Sequence, residues 1–153
     1  MSEARPLEGR VALVTGASRG LGRAAAMMLA RAGAHVVATA RTVGALEELD
    51  DAIARESGSG ATLVPFDLKD GAAIDRLGAA IHERWGRLDA LVGNAGMLGL
   101  LTPVPHLEPK VWADTFEVNV TANYRLIRSL DPLLRASAAG RAVFLTSGAA
   151  RNF

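Results

Sequence analysis

Short apolar runs of strand type alternate with apolar positions at helical spacing along most of the chain. Val11–Val14 is the first run. Leu21, Ala24, Ala25, Met28, Leu29 and Ala32 then recur at i, i+3, i+4, i+7, i+8 and i+11. That spacing predicts a helix burying this face, stopped by Gly33 at its C-terminal end. Ala34–Ala40 reads as a second strand. Leu46, Leu49 and Ile53 mark the next helix face, closed by the loop Ser57–Gly60. Ala61–Phe66 is a third strand, and Pro65, with no N–H to donate, places its end at an edge or outside the ladder. Ile74, Leu77, Ile81 and Trp85 define a third helix, and Leu88–Val92 a fourth strand. A long helical pattern starts at Pro109 and carries Trp112, Phe116, Ile127, Leu130 and Leu134; Pro132 should kink it or tighten its last turns. Arg141–Thr146 is the fifth strand, and Ala142–Leu145 within it has the unbroken apolar pattern of a strand buried on both faces.

Strictly alternating strands and helices predict an α/β fold with a parallel sheet covered on both sides. Right-handed crossovers make a doubly wound, Rossmann-like sheet of order 3-2-1-4-5 the simplest topology. No repeat, low-complexity tract or long linker divides the chain, so residues 1–153 are expected to form one dinucleotide-binding domain. In such sheets ligands bind at the carboxyl ends of the strands, near the switch between strands 1 and 4.

The turn after the first strand reads Thr15-Gly16-Ala17-Ser18-Arg19-Gly20-Leu21-Gly22. Gly16 permits a tight turn with φ values that side chains oppose. Gly20 and Gly22 remove Cβ atoms where a pyrophosphate and a neighbouring strand must come close. The free N–H groups of the following helix, at the positive end of its dipole, would face the phosphates. The alternative is a glycine-rich turn with no ligand; a strand before it and a helix after it argue against that.

These residues resemble the classical short-chain dehydrogenase/reductase family, from about Gly9 to Ser147. The family's T-G-x-x-x-G-x-G motif corresponds to Thr15–Gly22, and its adenine-binding acid after strand 3 to Asp67, followed by Leu68. Its N-N-A-G motif appears as Gly93-Asn94-Ala95-Gly96, its mid-helix asparagine as Asn119, and its serine after strand 5 as Ser147. Gly93 departs from the motif and loses an amide that could tie adjacent strands. Thr146-Ser147 stands where Ser-Ser is frequent. The family's Tyr-x-x-x-Lys would fall beyond Phe153, so the resemblance implies an enzyme fragment without its catalytic tyrosine and lysine. Tyr124, the single tyrosine of the chain, is followed four residues on by Arg128 and lies on the helix before Ser147. It reads as a packing or interface residue.

The resemblance assigns cofactor binding to Gly16, Ser18, Arg19, Gly20, Leu21, Gly22, Arg41, Asp67, Leu68, Asn94, Ala95 and Gly96, and catalysis to Ser147 and Asn119. Ser147 would hold the substrate oxygen; the Asn119 backbone carbonyl would hold a water of the proton relay. Each residue also has a plain structural reading. Asp67 could cap a helix, Asn94 could belong to an ordinary Asn-Ala-Gly turn, and Ser147 could be a strand-end serine. The end of strand 2, Thr39-Ala40-Arg41-Thr42, lacks the acid that holds an NAD ribose. A guanidinium suits a 2′-phosphate, so Arg41 and Arg19 point to NADP (NADPH) rather than NAD.

Composition excludes several alternatives. The chain holds no cysteine, which removes disulfides, thiolate catalysis and Cys-based zinc sites. Its formal net charge of +1 gives no reason to expect nucleic acid or an anionic membrane. His35, His82 and His106 have no metal-ligand spacing and are expected on surfaces or loops. Met1–Arg10 lacks the apolar stretch of a signal peptide, so a cytoplasmic protein is expected. The expected activity is hydride transfer between nicotinamide and a small-molecule carbonyl or secondary alcohol. A non-catalytic nucleotide-binding protein of the same fold is the alternative; a methyltransferase fits the glycine spacing and Arg41 less well. The resemblance implies homo-oligomers for the full-length protein, and an open strand-5 edge implies a poorly stable monomer.

Overall fold

The computed structural model describes residues 5–148. Five parallel strands form one sheet: β1 (Val11–Thr15), β2 (His35–Ala40), β3 (Thr62–Pro65), β4 (Ala90–Gly93) and β5 (Arg141–Phe144). Their spatial order is β3-β2-β1-β4-β5, as the alternating pattern predicts. The crossovers run through α1 (Gly20–Arg31), α2 (Val43–Ser57), α3 (Gly71–Trp85) and a long helical stretch. That stretch comprises α4 (Pro109–Phe116), a π-helical segment (Glu117–Thr121) and α5 (Ala122–Ala136). Pro132 lies inside α5, which continues to Ala136.

Alternation along the strands divides the core into two layers. Leu13 of β1 and Val37 of β2 pack with Ile74, Leu77, Leu126 and Leu130 on the α3–α5 side. Val14, Val36 and Ala38 pack with Ala26, Leu46, Leu49 and Ile53 on the α1–α2 side. Each fully buried leucine or isoleucine contributes about 1.5–3 kcal/mol relative to exposure, so these layers supply the main driving force.

Three elements differ from the sequence reading. In α1 the buried residues are Gly22, Ala26 and Ala30, whereas Leu21 is 71% and Met28 66% exposed. The apolar pattern names the wrong face because this helix crosses the sheet closely enough to admit only small side chains. A Cβ on Gly22 would overlap the Gly16 carbonyl oxygen. In the long helix the buried positions are Ala122, Leu126, Leu130 and Leu133, while Trp112, Phe116 and Ile127 are exposed. The π segment adds a residue's worth of rotation, so one periodic face cannot run through both halves. In β5, Arg141, Ala142 and Val143 are exposed, because β5 forms the sheet edge and its faces lie beyond the covering helices. His35 is also half-buried rather than on the surface: Nε2 lies 2.8 Å from Thr62 Oγ1, and its ring stacks against Trp85 at 5.2 Å.

The amino ends of the strands are joined by one buried carboxylate. Asp89 accepts hydrogen bonds from Arg10 (2.9 Å), the Val11 amide (2.8 Å), Ser137 Oγ (2.6 Å) and Arg87 (3.3 Å). Its own backbone bridges the Val11 carbonyl and the Arg141 amide. Burial opposes the charge, but Ser137, the Val11 amide, Arg10 and Arg87 together outweigh it and hold the carboxyl below its ordinary value. A depressed folded-state value gives stability that is complete above the unfolded-state value and lost as pH falls through the folded one. Asp89→Asn is therefore expected to lower stability at pH 7 by about 1–3 kcal/mol and to remove part of the acid limb. Urea titrations of both proteins between neutral and acid pH measure this.

Candidate nucleotide-binding site

β1 ends in a turn that carries Gly16 at φ +64, a left-handed value that favours glycine. The turn is locked to the end of β4. Thr15 Oγ1 accepts from the amides of Asn94 (3.0 Å) and Ala95 (3.1 Å). Asn94 Nδ2 donates back to the carbonyls of Thr15 (3.0 Å) and Gly16 (3.2 Å). A third strand joins this knot where the Ala17 amide donates to the Thr39 carbonyl at 3.1 Å. The ends of β1, β2 and β4 are thus held in one plane, with α1 starting at their edge.

Above this plane lies a cavity of about 380 Å³. The β1–α1 turn lines it through Gly16, Ser18, Arg19, Gly20 and Leu21, and the end of β2 through Thr39, Ala40 and Arg41. Phe66, Asp67 and Leu68 come from the end of β3, and Asn94 to Met97 from the β4 loop. Every cofactor-binding residue expected from the sequence borders it except Gly22. The space beside Gly22 is taken by the Gly16 carbonyl and the Asn94 amide, so Gly22 brings α1 onto the turn. Gly20, at φ +55, has nothing within 4 Å of where a Cβ would stand. It leaves room beside the first-turn N–H groups, which lack intrahelical acceptors.

Asp67 does not cap α3: Asp70 does, accepting from the Ala73 amide at 3.0 Å. The Asp67 carboxylate instead accepts from the Lys69 amide at 3.0 Å in a tight local turn at the cavity wall. Arg19 and Arg41 are both exposed beside the cavity, on either side of its β1–β2 wall.

Asn119 sits within the π segment. Its side chain accepts from the Met97 amide and donates to the Met97 carbonyl, each at 2.8 Å, and so braces the β4 loop against the long helix. Its backbone carbonyl accepts from Asn123 Nδ2 at 2.8 Å. Asn123 also bears on Gly93. A Cβ at Gly93 would overlap the Phe144 ring and lie 3.2 Å from Asn123 Oδ1. The space that a side chain at position 93 would need is filled by the Phe144 ring and bordered by Asn123. Ser147 follows β5 at the same end of the sheet, but it does not line the cavity.

Thr39, Ala40, Phe66, Met97 and Val118 border the cavity without having been singled out from the sequence. Thr39 had a usable signal, since alternation in β2 places it on the face of Val37 and Thr15. Val118 had none, because its placement depends on the π segment. Among the described residues, no group of His, Cys, Asp and Glu could hold a metal ion, and no helix is long and apolar enough to cross a membrane.

A doubly wound sheet with a glycine-turned cavity at its switch point defines the class: a Rossmann-like α/β protein. Residues 10–153 match the family model described as short chain dehydrogenase. The chain belongs to that family. It is 39% identical over 148 residues to the uncharacterized oxidoreductase YciK of Escherichia coli (strain K12), covering 95% of this chain and 59% of that protein. It is 36% identical over 149 residues to the 2,3-dihydro-2,3-dihydroxybenzoate dehydrogenase of Bacillus subtilis (strain 168), covering 96% of this chain and 56% of that one. The chain therefore spans a little over half the length of these curated relatives. Among solved structures, a short chain dehydrogenase from Shigella flexneri 2a str. 301 complexed with NADP superposes with a TM-score of 0.93 at 37% identity, covering 98% of this chain and 64% of that one. One from Escherichia coli CFT073 complexed with NADPH gives 0.91 at 38% identity, covering 97% and 63%.

The two glycines of the turn should behave differently when altered. Gly22→Ala forces α1 off the turn and is expected to destabilise the chain by about 2 kcal/mol or more, through steric overlap. Gly20→Ala meets open space and carries only the left-handed strain of about 1 kcal/mol, but fills the cavity beside the first-turn amides. Thermal unfolding ranks the two; nucleotide titration should find Gly20→Ala impaired in binding while still folded.

Proposed function

We propose that this chain is the nucleotide-binding domain of an NADP-dependent oxidoreductase acting on a small-molecule carbonyl or secondary alcohol. One observation carries the reading: motif residues scattered from Gly16 to Gly96 line a single cavity at the carboxyl ends of the strands. The residues present fit a dinucleotide. Gly20 leaves space for a pyrophosphate beside the open amides of α1. Asp67 can accept from an adenine amino group. Arg41, with no acid at the end of β2, can hold a 2′-phosphate by charge-assisted bonds, supported by Arg19. The relatives solved with NADP and NADPH support the same choice.

Within this reading each residue has a limited task. Hydride chemistry is supplied by the nicotinamide of the bound dinucleotide. Asn94 holds the β4 loop in register with the glycine turn, and Asn119 braces that loop through Met97. Asn123 takes one lone pair of the Asn119 carbonyl, so a relay water would use the other. Ser147 would orient the substrate oxygen by donating a hydrogen bond. Proton transfer at that oxygen needs a further acid, which Tyr124 does not provide from α5. Self-association through the exposed face of the long helix, where Trp112 and Phe116 stack at 4.6 Å, belongs to the same reading.

NADPH should bind this chain more tightly than NADH. A charged hydrogen-bonded contact is worth about 1.5–3 kcal/mol, or one to two decades of affinity. Arg41→Asp should abolish or invert the preference in titration calorimetry, and equal binding in both proteins would contradict it. Turnover should be unmeasurable for the 153-residue chain, since positioned acid–base catalysis contributes about 10²–10⁴-fold. Carbonyl reduction by the purified chain that is lost in Ser147→Ala would show the chemistry to lie elsewhere.

A further inference from the structure

α3 and α5 approach closely at two glycines seven residues apart. At Gly78 a Cβ would overlap Ser129 Oγ, a packing contact between helices. At Gly71 the neighbour is a charge: a Cβ would stand 2.6 Å from Nη1 and 2.8 Å from Cζ of Arg125. Gly71 is the first residue of α3, directly after the Asp70 cap. The positive end of a helix dipole disfavours a cation, so the stability of α3 does not account for a guanidinium here. Two oxygens do. Arg125 Nη1 donates to Glu117 Oε1 of the π segment at 2.8 Å and lies 3.5 Å from the Lys69 carbonyl, in the turn after β3. The same turn is tied a second time, by Lys69 Nζ to Asp114 of α4 at 3.4 Å. Both ties act on residues that adjoin the cavity wall. Lys69 follows Asp67 and Leu68, and its amide donates to the Asp67 carboxylate at 3.0 Å. Glu117 precedes Val118, which borders the cavity, and Asn119, which holds Met97. The Asp67 wall and the Val118 wall are thus joined through Arg125.

We propose that Arg125 is a positioning residue for nucleotide binding: it pins the turn after β3 to the π segment and so fixes the Asp67 carboxylate in the cavity wall. The proposal rests on the nucleotide-binding reading above. Arg125 acts through Asp67 and touches no ligand itself. Arg128 offers the contrast. It pairs with Asp75 at 3.6 Å and joins the same two helices about one turn further along each, at residues that do not adjoin the cavity wall.

The test titrates wild type, Arg125→Met and Arg128→Met with NADPH and 2′,5′-ADP by calorimetry, and repeats the Arg125 change in an Asp67→Ala background. Arg125→Met should weaken both ligands about three- to tenfold, the value of one hydrogen bond. Arg128→Met removes an exposed ion pair between the same helices and should bind within about twofold of wild type. In Asp67→Ala the Arg125 change should add less than about twofold, because the group it positions is gone. Amide exchange at 67–71 should speed up in free Arg125→Met and stay unchanged in Arg128→Met. If Arg125→Met does not fold, Glu117→Gln, which removes the charge that turns the guanidinium, is read in its place with the same expectations. Unchanged NADPH affinity in the folded variant overturns the proposal. Equal weakening with and without the Asp67 carboxylate, or in Arg125→Met and Arg128→Met alike, overturns it too. Absence of any nucleotide binding by wild type overturns the nucleotide-binding reading, and this proposal with it.

Discussion

The reciprocal bonds between Thr15 and Asn94 hold the site together. β1 and β4 are neighbours in space but far apart in sequence, and their chains part at the carboxyl end, β1 into α1 and β4 into the Met97 loop. Without a fastening there, the two departing loops would be free to separate. Thr15 Oγ1 takes two amides of the β4 loop, and Asn94 Nδ2 takes two carbonyls of the β1 turn. Gly16 and Gly22 are required by the same fastening, because a Cβ at either position would press on Asn94. The floor of the cavity follows from a handful of bonds that need glycine, threonine and asparagine at fixed places.

The two ends of the sheet are built to different physical rules. At the amino ends, Asp89 gathers donors from Arg10, Arg87, Ser137 and the Val11 amide. A charge so placed contributes rigidity, since each of its oxygens has fixed partners. At the carboxyl ends the strands finish in open amides, a glycine at positive φ and an unpaired threonine hydroxyl. The contrast between the two ends fits a ligand site at the switch point.

Much of this was legible in the sequence where one residue type has one physical use. Leu46, Leu49 and Ile53 are buried as their spacing requires, and the strand order follows from alternation and handedness. The motif residues around Gly16, Asp67 and Asn94 border the cavity because turns that need glycine or an amide leave little choice. Legibility failed where packing distance or helix register decides. Nothing in the spacing of Leu21 and Met28 shows that α1 lies too close to the sheet for them. The π segment at Glu117–Thr121 shifts the long helix by an amount that periodicity does not reveal. Gly93 looked like a lost amide; in the fold it makes room for the Phe144 ring, which is distant in sequence. β5 lies at the sheet edge, as the order 3-2-1-4-5 requires, and is more exposed than its unbroken apolar pattern suggests.

The central claim is that the carboxyl end of this sheet is a dinucleotide site. Amide hydrogen exchange of the chain with and without NADPH tests it most directly, because it reports where binding acts. The account predicts added protection at 16–23, at 39–42 and through 67–69 and 94–97, with the amino ends around Asp89 unchanged. Protection confined to the amino ends of the strands, or none at saturating NADPH, would contradict it.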